Sequence, residues 1–189
     1  ACAPVSATTT VTVIEVPTAS VTSTTPICAT TSTVLTLSTT NTTTGITTYQ
    51  ITSDYPSANS DVYSTSTTAP TSPFTVPAAY VNPNGVTNYT FTVISAPCGS
   101  ATSTFAVTVQ PASVGGTVSA SATQCSPASG SLTLSGHTGS VVNWEYSTNG
   151  GASWTTIANT TTTNAYAAIT TTTMYRAVVQ NGVCATANS

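Results

Sequence analysis

The sequence predicts an all-β protein. Three observations carry that expectation. About a quarter of the 189 residues are Thr, and Val is also abundant. Both are β-branched, which penalises a helix and suits a pleated sheet. Short runs alternate apolar and polar residues, as in Val34-Leu35-Thr36-Leu37-Ser38 and Tyr89-Thr90-Phe91-Thr92-Val93, the period of a half-buried strand. Turn residues, with 11 Gly and 11 Pro, punctuate these runs. The chain is 39% hydrophobic and its mean hydropathy is +0.19. It therefore lacks the polar, highly charged signature of a disordered chain.

Taken in order, residues 1–17 read as a strand with a leader. Cys2 is followed by a polar spacer, then Val11-Thr12-Val13-Ile14-Glu15-Val16, and Pro17 closes the run. Val5, Val11, Val13, Ile14 and Val16 are its apolar residues. Strand runs follow at 19–22, 32–38, 46–52, 62–66, 74–76, 88–94 and 104–109, with a turn signal at Asn82-Pro83-Asn84-Gly85. In the second half they fall at 117–121, 131–135, 141–147, 154–157, 164–169 and 172–179. Seven strands and then six fit two tandem Ig-like Greek-key β-sandwiches. The expected domains are residues 18–110, a complete sandwich, and 111–189, a sandwich without its last strand.

That division rests on an internal repeat. Ile27-Cys28 followed by Leu35-Thr36-Leu37-Ser38 parallels Gln124-Cys125 followed by Leu132-Thr133-Leu134-Ser135. A strand opening with Tyr89 and followed by Cys98 parallels one opening with Tyr175 and followed by Cys184. Each unit thus has an early and a late cysteine, and the expected disulfides are Cys28–Cys98 and Cys125–Cys184. Cys2 is left to pair outside the chain or to stay a free thiol. After Cys98 the first unit continues into a strand ending at Pro111, whereas after Cys184 only five residues remain. The strand type that the second unit lacks stands at the other end, in residues 3–16. Two readings follow. Copies of the chain complete one another head to tail, which makes a homopolymer, or the chain is one piece of a longer array of adjacent repeats.

Charge excludes several function classes. Arg176 is the only Lys or Arg, His137 the only His, and Glu15, Asp54, Asp61 and Glu145 the only acids. A basic footprint for nucleic acid is absent. The convergent titratable groups of acid–base catalysis are absent too, so no enzyme and no cofactor are expected. The cysteines lack metal-ligand spacing. No run of about 18 apolar residues offers a membrane span. The N-terminus lacks the basic and apolar regions of a signal peptide, so a mature or excerpted chain is expected. Widely spaced cysteines point to an oxidising, extracellular setting.

Residue patterns also place individual side chains. With Trp144 inward on its strand, Glu145 faces outward, and so does Arg176 on the neighbouring strand. The two are expected to pair across the outer face. Asp54 and Asp61 bracket a loop, the weak beginning of a calcium site. Tyr49, Tyr55, Tyr63 and Tyr80 suggest either core packing or a sugar-binding strip, and Asn41, Asn88 and Asn159 sit in N-glycosylation sequons.

Ser147-Thr148-Asn149-Gly150-Gly151-Ala152-Ser153-Trp154, with Trp144 before it and Tyr175 to Val179 and Gly182-Val183-Cys184 after it, resembles the Ig-like repeats of very large secreted Bacteroidetes surface proteins and adhesins. The resemblance covers residues 111–189 and extends to 18–110 only in outline. It implies a filament or stalk repeat, with a glycan-binding adhesin module as the alternative. A full repeat of that kind carries a last strand after Cys184. The same octet resembles an Asp-box hairpin with Asn149 in place of Asp, which implies a structural turn.

Overall fold

The computed structural model describes residues 7–40, 45–96, 98–119 and 124–189. Within them the protein is all-β, with fifteen strands, one short 3-10 turn and no α-helix. The chain gathers into two compact units.

The first unit comprises residues 7–23, Val34–Val81 and Thr87–Ala106. One sheet joins β1 (Ser20–Ser23), β3 (Val34–Ser38) and β6 (Phe74–Thr75) in the order β1-β3-β6. The other runs β8-β7-β4-β5, from β4 (Ile46–Ser53), β5 (Ser60–Ser66), β7 (Val86–Ser95) and β8 (Gly99–Gln110). Alternation sets the inward face. On β7, Thr87, Tyr89, Phe91, Val93 and Ser95 are all buried, and on β3 Leu35 and Leu37 are. Tyr49 and Ile51 of β4 join them in the core.

The second unit comprises Thr24–Thr33, Asn82–Val86 and Val107–Ser189. Its first sheet is β13-β10-β9, from β9 (Thr117–Val118), β10 (Ala128–Ser135) and β13 (Thr163–Ile169). Its second is β12-β11-β14-β15, from β11 (Ser140–Ser147), β12 (Thr155–Ile157), β14 (Met174–Gln180) and β15 (Ala187–Asn188). The two sheets share one core. Leu132 and Leu134 come from β10, Val141 and Trp144 from β11, and Ala177 and Val179 from β14. Val141 and Trp144 are three apart and still face the same side, because a bulge at Val142 inserts an extra residue. Trp144 is fully buried, and its indole Nε1 donates to the Thr161 carbonyl at 2.9 Å.

The units do not follow a boundary at residue 110. The end of β8 pairs in parallel with β2 (Ile27–Cys28), matching Ile27 to Val109 and Cys28 to Gln110. Val109 N–H also donates to the Gly85 carbonyl. These contacts draw residues 24–33, 82–86 and 107–110 into the second unit.

Candidate functional site

The outer edge of β14 is only partly paired. Along its inner edge β14 pairs with β11 over its whole length, from Met174–Ser147 to Gln180–Ser140. Along its outer edge β15 pairs only with Val178 and Val179. Ser189 adds two bonds to Ala177, one from its backbone N–H and one to its side chain. Toward Met174 no strand among the described residues pairs with that edge. Cys98 is followed by the twelve residues of β8, and Cys184 by the two of β15.

The N-terminal segment carries no strand. Residues 7–19 have no regular structure; the strand expected over residues 1–17 is one that completes a neighbouring domain. A strand needs a neighbour to satisfy its amides, and among the described residues no strand pairs with this segment. Val11 is 81% exposed, Val13 86% and Val16 66%. Ile14 differs. Its side chain fills the space where a Cβ on Gly45 would sit, and its carbonyl accepts from the Cys98 thiol at 3.1 Å. Val5 and Cys2 lie outside the described residues.

The expected disulfides, Cys28–Cys98 and Cys125–Cys184, are not formed. The bond joins Cys28 to Cys184, with Cα atoms 4.9 Å apart, and Cys98 and Cys125 are free. The reason lies in Gln110. Parallel pairing sets Cys28 beside it. Its side-chain carbonyl accepts from Val183 N–H at 3.0 Å, while the Asn181 amide donates to the Pro111 carbonyl at 2.8 Å. Together these seat the turn after β14 against the end of β8 and deliver Cys184 to Cys28. Gly182 allows the seat, because it sits at φ +52° and a Cβ there would strike the Gln110 carboxamide.

On the outer face of the second sheet, Glu145 and Arg176 are cross-strand partners, and Arg176 Nε donates to Glu145 Oε2 at 2.6 Å. The guanidinium carbon also lies 4.0 Å from the centre of the Trp154 ring. The hairpin that delivers Trp154 is held by short polar bonds. Ser147 Oγ accepts from Gly151 N–H at 2.9 Å, and Asn149 Oδ1 accepts from Ser153 N–H at 3.0 Å. Asn149 thus supplies the acceptor that Asp would, and its Nδ2 adds a bond to Ser153 Oγ.

Asp54 and three of the candidate tyrosines take structural duties. Asp54 accepts from the Asn88 backbone and side-chain amides at 2.8 and 2.6 Å, pinning β7 to the loop after β4. Among the described residues no three His, Cys, Asp or Glu gather as metal ligands. Tyr49 is buried, Tyr63 packs edge-on against Phe74, and Tyr80 lends its carbonyl to the Tyr89 hydroxyl. The tyrosines that do gather are Tyr146, Tyr166 and Tyr175 of the second unit. Sequence reasoning missed them. The available signal was that Tyr146 and Tyr175 flank Glu145 and Arg176, a pair already placed opposite one another.

An all-β chain with a disulfide and an open strand edge is the class that this geometry defines. Among the described residues no helix is long and apolar enough to cross a membrane. Residues 114–189 match a family model described as a domain of unknown function, DUF8696. That match begins just after β8 and takes in every strand from β9 to β15. No curated protein matches the chain.

Proposed function

We propose that the chain is a structural repeat or subunit of an extracellular filament or cell-surface stalk. Residues 3–16 of one copy, or of an adjacent repeat, add as a strand along the outer edge of β14 in the next. The observation that carries this reading is the open edge of β14 beside Met174–Arg176, which offers backbone groups to an added strand. The donor is a segment in which Val11, Val13 and Val16 are exposed and whose described residues, from Ala7 on, belong to no strand. Val11 and Val13 project to one face of an extended segment, so pairing buries both together. The contact is heterologous and does not close on itself, so it propagates as a fibre. A disulfide, one cation in 189 residues and a hydroxyl-rich surface suit an extracellular setting. The resemblance to Ig-like repeats of secreted surface proteins agrees with this reading.

The test is electron microscopy with sedimentation of the full chain against a Val11→Asp/Val13→Asp variant. Filaments or concentration-dependent oligomers are expected from the parent and monomers from the variant. A parent that stays monomeric at every concentration, or a variant that polymerises equally well, overturns the reading.

A further inference from the structure

A groove of about 340 Å³ opens in the second unit. Tyr146 of β11 and Tyr175 of β14 form its aromatic wall, Ile157 and Ala168 its sides, and Thr148 and Thr170 part of its rim. We propose that this groove is a binding site for a neutral saccharide. The proposal does not rest on strand addition, since it uses no part of residues 3–16, although Tyr175 belongs to the stretch of β14 left open to a strand.

Four observations converge. The first is the aromatic platform. Tyr146 and Tyr175 are cross-strand partners with ring centres 6.4 Å apart and planes tilted by 37°. Tyr166 backs Tyr175 at 5.8 Å and 31°. Tilted phenols side by side present the apolar faces that sugar rings stack on. The second is unspent hydrogen bonding. The hydroxyls of Tyr63 and Tyr89 are tied to backbone carbonyls. Those of Tyr146, Tyr166 and Tyr175 have no partner among the described residues. Burial, with Tyr166 and Tyr146 close by, pushes the Tyr175 phenol above its ordinary value, which keeps that hydroxyl a neutral donor.

The third observation is charge. No Asp, Glu, Lys, Arg or His lines the groove, and its rim is a run of Thr hydroxyls. An ionic ligand would be desolvated there without a counter-charge, whereas a polyol meets both apolar faces and hydroxyl partners. The fourth is backbone strain. Ala168 holds φ +51°, a left-handed conformation that is costly for a residue with a Cβ. Its N–H is fixed by Ser129 Oγ at 3.0 Å, next to the irregular register of β10 and β13. That kink lies one residue before the end of β13, and Ile169 and Thr170, which follow it, line the groove.

The test is a backbone-amide NMR titration of the full chain with neutral oligomers of glucose, xylose and mannose, an oligogalacturonate and an aliphatic diol. At least one neutral oligomer is expected to give saturable shifts confined to Tyr146, Ala168, Thr170 and Tyr175. Thr170→Trp, which plugs the mouth without touching the core, is expected to weaken it at least about tenfold. Tyr175→Phe is expected to keep the fold and weaken binding by about threefold to tenfold through the lost hydroxyl. No saturable shift with any neutral oligomer overturns the proposal. So do equal shifts from the oligogalacturonate, shifts from the diol alone, or undiminished binding by Thr170→Trp.

Discussion

Arg176 shows how a single charge is used in a nearly uncharged chain. It meets Glu145 at 2.6 Å and lies over Trp154 at 4.0 Å, with the two charged side chains 26% and 18% exposed. Partial exposure keeps the ion pair near about 1 kcal/mol, and the cation–π contact adds about 0.5–1 kcal/mol. Urea denaturation of Glu145→Gln, Arg176→Gln and the double variant should give a coupling energy of about 1 kcal/mol; a coupling within error of zero would leave the contact without energetic weight. Tyr175 supplies the pH dependence. Its phenol is raised above 10.0, first by burial and then by Tyr166 and Tyr146. The folded state therefore holds that proton after the unfolded chain has released it. The contribution is complete below the unfolded value and is lost as pH rises from there through the folded value. Stability should fall on the alkaline side, and Tyr175→Phe should flatten the fall. A phenolate absorbance titration alongside denaturation checks both.

Strand elements were legible because their signal is local. The runs at 32–38, 88–94 and 141–147 contain or overlap β3, β7 and β11 to within a few residues, since alternation is written in neighbouring side chains. β2 and β15 were not legible. Each has two residues, too few for a period, and each exists only through its partner, β8 for β2 and β14 for β15. The disulfide was misread for the same reason. Repeat symmetry paired each early cysteine with its late one, whereas the actual pairing depends on a parallel β2–β8 contact that no local pattern announces. Trp144 facing inward and Glu145 meeting Arg176 were readable, because alternation and strand adjacency decide both. The tyrosine groove was not, since it needs the kink at Ala168. The seat at Gln110 makes its own prediction. Gly182→Val should displace the turn from Gln110 and slow formation of the Cys28–Cys184 bond during oxidative refolding, as followed by thiol trapping. Native-state alkylation should label exposed Cys125 well ahead of Cys98, which is partly covered and donates to the Ile14 carbonyl.

Across the whole chain, the Cys28–Cys184 bond spans 156 residues of sequence. Nearly every strand lies inside that covalent loop, although both cysteines belong to the second unit. Closing so long a loop restrains the unfolded chain by about 5 kcal/mol on the chain-entropy estimate. The topology also fixes what a cut does. The parent offers trypsin one site, Arg176, which lies inside β14 and is held by Glu145 and Trp154, so cleavage of the folded chain should be slow. Gln124→Lys adds a second site at an exposed position before Cys125. Cleavage there separates residues 1–124 from 125–189. With Cys28 bonded to Cys184 the two pieces should migrate together on a non-reducing gel and separate only when a thiol reductant is added. Bonds within each half, Cys28–Cys98 and Cys125–Cys184, would instead release two fragments without reductant. The gel therefore decides between a molecule whose covalent bond follows its sequence repeat and one in which that bond ties the early part of the chain to its last turn.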